Sequence, residues 1–75
     1  MTAIKKVSFT FENLRNDLFG MDLDLTEEEY EKVCHGELPE SVMKAWRRKH
    51  RKAQINDWAA CDYGTWKDIR TWRYA

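Results

Sequence analysis

Residues 4–26 read IKKVSFTFENLRNDLFGMDLDLT, and their alternation decides the fold class. Val7, Phe9 and Phe11 alternate with Ser8, Thr10 and Glu12. Met21, Leu23 and Leu25 alternate with Asp22, Asp24 and Thr26. Side chains two apart share one face of a strand, so each run offers an apolar face and a polar one. β-Branched and aromatic residues suit such a half-buried pleated surface. Residues 12–20 are too few for a parallel crossover, which needs about a dozen residues or more. The two runs are therefore expected to pair as antiparallel strands. Leu14 and Leu18, four apart and followed by Gly20, suit a single helical turn between them.

Beyond the second run the period changes. Thr26 with Glu29 forms a capping box, and Glu27 and Glu28 reinforce the first turn of a helix. Tyr30, Val33 and Cys34 have i, i+3, i+4 spacing, and Gly36 is placed to stop the helix before Pro39. A second helix is expected over 39–54, PESVMKAWRRKHRKAQ. Pro39 fits its first turn, and Val42, Met43, Trp46 and Ala53 fall in one arc, flanked by Ala45 and Lys49. Ile55 and Trp58 lie far round the wheel from that arc, so the helix is expected to break near Asn56. Residues 56–63 then suit one or two helical turns ended by Gly64. Residues 65–75 fit two patterns. Trp66, Ile69 and Trp72 have helical spacing, with Thr65 and Asp68 imitating a capping box. Residues 69–74 are also good strand material, and a third strand is the favoured reading. The expected fold is α+β. One compact domain over 1–75 holds an antiparallel hairpin, two helices packed on one face of it, and a candidate third strand at the C-terminus.

Seventy-five residues are near the lower limit for folding without staples. Four Trp, three Tyr and three Phe raise the apolar area available for a small core. Two cysteines, Cys34 and Cys61, are too few for a secreted disulfide scaffold, and free buried thiols are expected rather than a bridge. No apolar N-terminal run resembles a signal peptide and no stretch approaches a membrane span, so a cytoplasmic location is the expectation.

The formal net charge is zero, but its distribution is lopsided. Residues 1–42 carry ten acids against four Lys/Arg, and residues 43–75 carry nine Lys/Arg against three acids. Either the halves neutralise each other in the fold or the molecule presents a basic surface. Six cations fall within nine positions of 44–52, with His50 among them. Lys44, Arg47, Arg48, Arg51 and Lys52 are the candidate phosphate contacts of a nucleic-acid-binding helix. Trp58, Trp66, Trp72 or Tyr74, if exposed nearby, would stack on unpaired bases. A helix-turn-helix is a poor match, because Lys32 stands where the first helix needs a small apolar residue.

The acidic residues Asp22, Asp24, Glu27, Glu28, Glu29 and Glu31 have three readings. They hold a cation, imitate phosphates to a basic partner, or form a solvated strand face and helix start. The calcium-loop pattern is absent, and the helix start alone explains 27–29. Asp22, Asp24, Glu27, Glu28 and Glu31, with Trp66 and Trp72, are nevertheless candidate contacts to a protein partner. No C-x-x-C or H-x-x-x-H pair points to zinc, and no nucleophile–base pair, glycine-rich phosphate loop or nucleophile elbow is present. No cofactor or enzyme activity is expected. Compactness, dense charge and the lack of catalytic residues resemble small accessory proteins encoded by phages and mobile elements. The second functional reading is accordingly a modulator of a nucleic-acid-processing complex.

Overall fold

The computed structural model describes residues 4–72 as an α+β domain. Its elements in chain order are β1 (Ile4–Asn13), β2 (Leu18–Thr26), α1 (Glu27–Cys34), α2 (Glu40–Lys49), β3 (Ile55–Asp62) and β4 (Asp68–Arg70). The strands form one antiparallel sheet in the order β2-β1-β3-β4.

The register explains the core. Phe9 lies opposite Met21 and Ala60, and Phe11 lies opposite Phe19 and Trp58. Directly opposite residues share a face, so the odd-numbered residues of β1 and their partners line one side of the sheet. Val33 of α1 and Val42 and Trp46 of α2 close over that side. Val7, Phe9, Phe11, Leu25, Val33 and Val42 are almost wholly buried. Trp46 packs on Phe11 and Phe19 at centroid distances of 4.9 and 5.6 Å. Burying a large aromatic removes roughly 150–250 Å² from water, so this one side chain anchors much of α2. The other side of the sheet carries Ser8, Thr10, Asp22, Asp24, Ala59 and Cys61 and is not covered by the helices.

α1 begins and ends as its sequence requires. Thr26 Oγ1 accepts from Glu29 N–H, and a Glu29 carboxylate oxygen accepts from Thr26 N–H, completing the capping box. At the other end Glu37 N–H bonds to Lys32 O and Gly36 N–H to Val33 O. This reciprocal pair is the Schellman arrangement, and it needs the positive φ of 84° that Gly36 adopts.

Four expectations change. The β1–β2 connection holds no helical turn. Asn13 Oδ1 accepts from the N–H groups of Arg15 and Asp17, Asn16 takes a positive φ of 67°, and Gly20 lies within β2. Local side-chain bonding of this kind stabilises a tight turn without a helix. α2 stops at Lys49 rather than Gln54. The run from Arg47 to Lys52 offers nothing apolar to bury, and the chain turns back so that Trp46 Nε1–H donates to Ala53 O at 3.1 Å. Residues 55–62 form a strand, because pairing with β1 outweighs the helical leaning of two alanines. The sheet thus has four strands, and the C-terminal strand is only Asp68–Arg70. Trp72 follows it outside the ladder, and Tyr74 lies outside the described residues.

The thin outer strand leaves part of β3 unpaired. Even-numbered residues of β3 point their backbone groups away from β1. Trp58 N–H accordingly bonds to Asp57 Oδ1, and Trp58 O accepts from the Arg70 guanidinium. Arg70 also pairs with Asp57 at 3.2 Å and lies over the Trp58 ring at 4.2 Å. One ion pair therefore satisfies a strand edge that β4 is too short to reach.

Candidate functional site

The buried residues of α2 fix where its charges go. Val42 and Trp46 face the sheet, so Lys44, Arg47, Arg48 and Lys49 are exposed. Arg51 and Lys52 continue the exposed run in the turn that follows. Lys44 lies 3.9 Å from Glu40, an exposed i,i+4 pair of little energetic weight. Among the described residues, Arg47, Arg48, Lys49, Arg51 and Lys52 form no ion pair. Among the described residues the two halves of the chain therefore meet in one ion pair only, the exposed Lys44–Glu40 contact.

The fold adds a cation that sequence reading missed. The Asn13-centred loop brings Arg15 to the edge of a surface cleft whose far wall is Lys52, Ala53 and Gln54. Arg15 is exposed and likewise forms no ion pair among the described residues. Only the strand register places the hairpin loop beside the end of α2, so no local pattern could have revealed Arg15. The negative end of the α2 dipole partly offsets the local positive charge and steadies the basic last turn.

His50 does not join this surface as a charge contact. Its ring sits between Phe19 and Trp46, at centroid distances of 4.4 and 4.3 Å, and it serves as an aromatic spacer. The aromatic residues expected near the phosphate contacts are placed elsewhere. Trp58 is buried. Trp66 is exposed beside Tyr63, with ring centroids 5.5 Å apart, in the β3–β4 turn. That turn lies at the opposite end of the sheet from Arg15, since Val7 pairs with Asp62 while Asn13 pairs with Ile55. Six residues of strand separate the ends by about 20 Å. Trp72 is half-buried and borders a shallow depression on the open sheet face with Ser8, Thr10, Cys61 and Asp68.

The acidic residues are divided between two surfaces. Asp22 lies opposite Ser8 and Asp24 opposite Lys6, both on the open sheet face. Glu27, Glu28 and Glu31 are exposed on α1, which covers the other face. Glu29 is engaged in the fold. It accepts from the Ser41 hydroxyl and from Thr26 N–H, and these bonds hold its carboxyl below the ordinary value of 4.5. Ser41 thereby ties the start of α2 to the start of α1.

Both cysteines are free, and Cys34 is exposed rather than buried. Cys61 is half-buried; burial first, then the nearby Asp68 carboxylate, pushes its thiol pKa up. A raised pKa lowers the thiolate fraction, so neither geometry nor electrostatics activates Cys61 as a nucleophile. Among the described residues, no group of three or more His, Cys, Asp or Glu side chains is placed to hold a metal ion. No helix among them is long and apolar enough to cross a membrane. Comparison with protein-family models, curated proteins and solved structures finds no match for this chain.

Proposed function

We propose that this chain is a nucleic-acid-binding accessory protein that grips the phosphate backbone with the exposed face of α2 and the turn after it. Lys44, Arg47, Arg48, Arg51 and Lys52 supply the contacts, joined by Lys49 and by Arg15 from the hairpin loop. The observation that carries this reading is the gathering of six exposed cations, Arg15 and those of 47–52, around one end of the sheet, none of them in an ion pair among the described residues. Holding like charges together is unfavourable unless an anion shares the surface, and each neutralised phosphate releases condensed counterions.

The surface suits backbone contact rather than base stacking. Among the described residues the exposed large apolar side chain lining its cleft is Leu14, and no exposed aromatic ring lines it. Stacking platforms for single strands rely on such rings. Binding is therefore expected to tolerate any sequence and to favour a duplex, whose two strands present the denser phosphate array. The test is a titration monitored by fluorescence anisotropy of labelled duplex and single-stranded oligonucleotides at several salt concentrations. The Arg47→Ala/Arg51→Ala variant is expected to bind every sequence more weakly and with a flatter salt dependence. An unchanged salt slope in that variant would remove α2 from the interface.

A further inference from the structure

The strongest remaining feature is the outer edge of β2. In β1, Lys6 O accepts from Tyr63 N–H on the β3 side. The even-numbered residues of β1 therefore direct their backbone groups to β3, and the odd-numbered ones to β2. The bonded pairs with β2 are Lys5 with Leu25, Val7 with Leu23, Phe9 with Met21 and Phe11 with Phe19. It follows that Leu18, Gly20, Asp22 and Asp24 point their N–H and C=O groups outward. Among the described residues none of these groups finds a partner.

This edge lacks most of the devices that close such surfaces. β2 is nine residues long and contains no proline, and its pairing with β1 runs without a register shift. The contrast lies at the other side of the sheet, where Arg70 and Asp57 satisfy the exposed groups of Trp58. What β2 does carry is a pair of exposed carboxylates, Asp22 and Asp24, on the open face. Neither forms an ion pair among the described residues. On the helix side, Phe19 and Leu23 are only half-buried.

These features define an occupant. We propose that β2 accepts an extended segment of another protein as a fifth strand, and that this segment alternates basic and apolar residues. Its Lys or Arg side chains lie opposite Asp22 and Asp24 on the open face. Its apolar side chains lie on the helix side and complete the cover over Phe19 and Leu23. Main-chain bonds supply the affinity, and the alternation supplies the selection. A second copy of this chain does not fit. Any two-fold pairing that bonds the outward groups gathers four carboxylates on one face, and like charges on neighbouring strands repel. The proposal does not rest on nucleic-acid binding by α2, although the two surfaces approach each other at Phe19, which packs on Trp46.

The probe is an eight-residue peptide alternating Lys and Val, titrated into ¹⁵N-labelled protein. Binding is expected to slow hydrogen exchange at the amides of Gly20, Asp22 and Asp24, while those of Met21 and Leu23 already bond to β1. The Asp22→Lys/Asp24→Lys variant is expected to lose about tenfold or more in affinity for this peptide and to gain it for a Glu–Val peptide. Because charge reversal can disturb folding, Asp22→Asn/Asp24→Asn is measured beside it and is expected to show an intermediate loss with an unchanged circular dichroism spectrum. Three results overturn the proposal. One is equal binding by a Lys–Val peptide N-methylated at every ladder-forming amide. Another is an unchanged preference in both variants. The third is a peptide-free dimer paired through β2, seen by sedimentation and amide protection.

Discussion

Replacing Arg70 with alanine should cost this domain a large share of its stability. Three interactions go at once. They are the pair with Asp57 at 3.2 Å, the bond to Trp58 O and the contact over the Trp58 ring at 4.2 Å. Breaking a buried ion pair typically costs about 3–5 kcal/mol. Arg70 keeps 16% of its side chain exposed and Asp57 keeps 6%, so the lower end applies, about 3 kcal/mol. Chains fold with about 0.05–0.15 kcal/mol per residue, which for 75 residues is about 4–11 kcal/mol in total. The urea midpoint should therefore fall by a quarter to three quarters of its starting value at constant slope. Arg70→Lys should lose roughly half as much. It keeps the charge but not the planar group that lies on Trp58 while bonding to Asp57 and to Trp58 O. Lys67→Ala is the exposed control and should move the midpoint within about 0.5 kcal/mol. An Arg70→Ala variant shifted by less than about 1 kcal/mol, or an Arg70→Lys variant equal to the parent, would refute the role assigned to this edge.

Two further outcomes follow from groups whose proton equilibria the fold shifts. The lowered pKa of Glu29 makes its bonds to Ser41 and Thr26 fully stabilising above pH 4.5, and this contribution fades as pH falls through the lower folded-state value. Ser41→Ala should reduce the stability difference between pH 6 and pH 3, and parallel denaturation curves that ignore the substitution would count against it. Cys34 should react with an aromatic disulfide reagent before Cys61, since it is exposed and Cys61 combines partial burial with a raised pKa. Mass spectrometry after brief labelling at pH 8 should find the adduct on Cys34, and a majority on Cys61 would contradict the described burial.

The parts of the fold that were legible in sequence are those built from local rules. Alternation in residues 4–26 set the hairpin, because one side of each strand is buried and a one-residue slip would expose Phe9 and Phe11. The capping box and Gly36 set both ends of α1 by bonds within five residues. What was hidden depends on distant contacts. β3 lacks alternation because Ala59 and Ala60 are both small, and its identity comes from its register with β1. α2 stops early without a poor helix former to announce it, and the chain turns back so that Trp46 bonds to Ala53 O. Arg70 acts twelve residues away from Trp58, and nothing beside it in the chain announces that task. The candidate site divided the same way. The basic run was visible as a run, whereas Arg15 joined it only through the sheet register. The separation of Asp22 and Asp24 from Glu27, Glu28 and Glu31 likewise required the two faces of the sheet to be known.

The most direct test of the central claim is the salt dependence of duplex DNA binding, measured for the parent chain and for Arg47→Ala/Arg51→Ala. With about seven phosphates neutralised, one for each cation of the proposed surface, the logarithm of affinity should fall with the logarithm of salt at a slope of about −6. The double variant should lower that slope by about 2 for every duplex sequence tried. A parent chain that shows no binding at low salt, or a variant that keeps the parent slope, would contradict the assignment of α2 as a phosphate-binding surface.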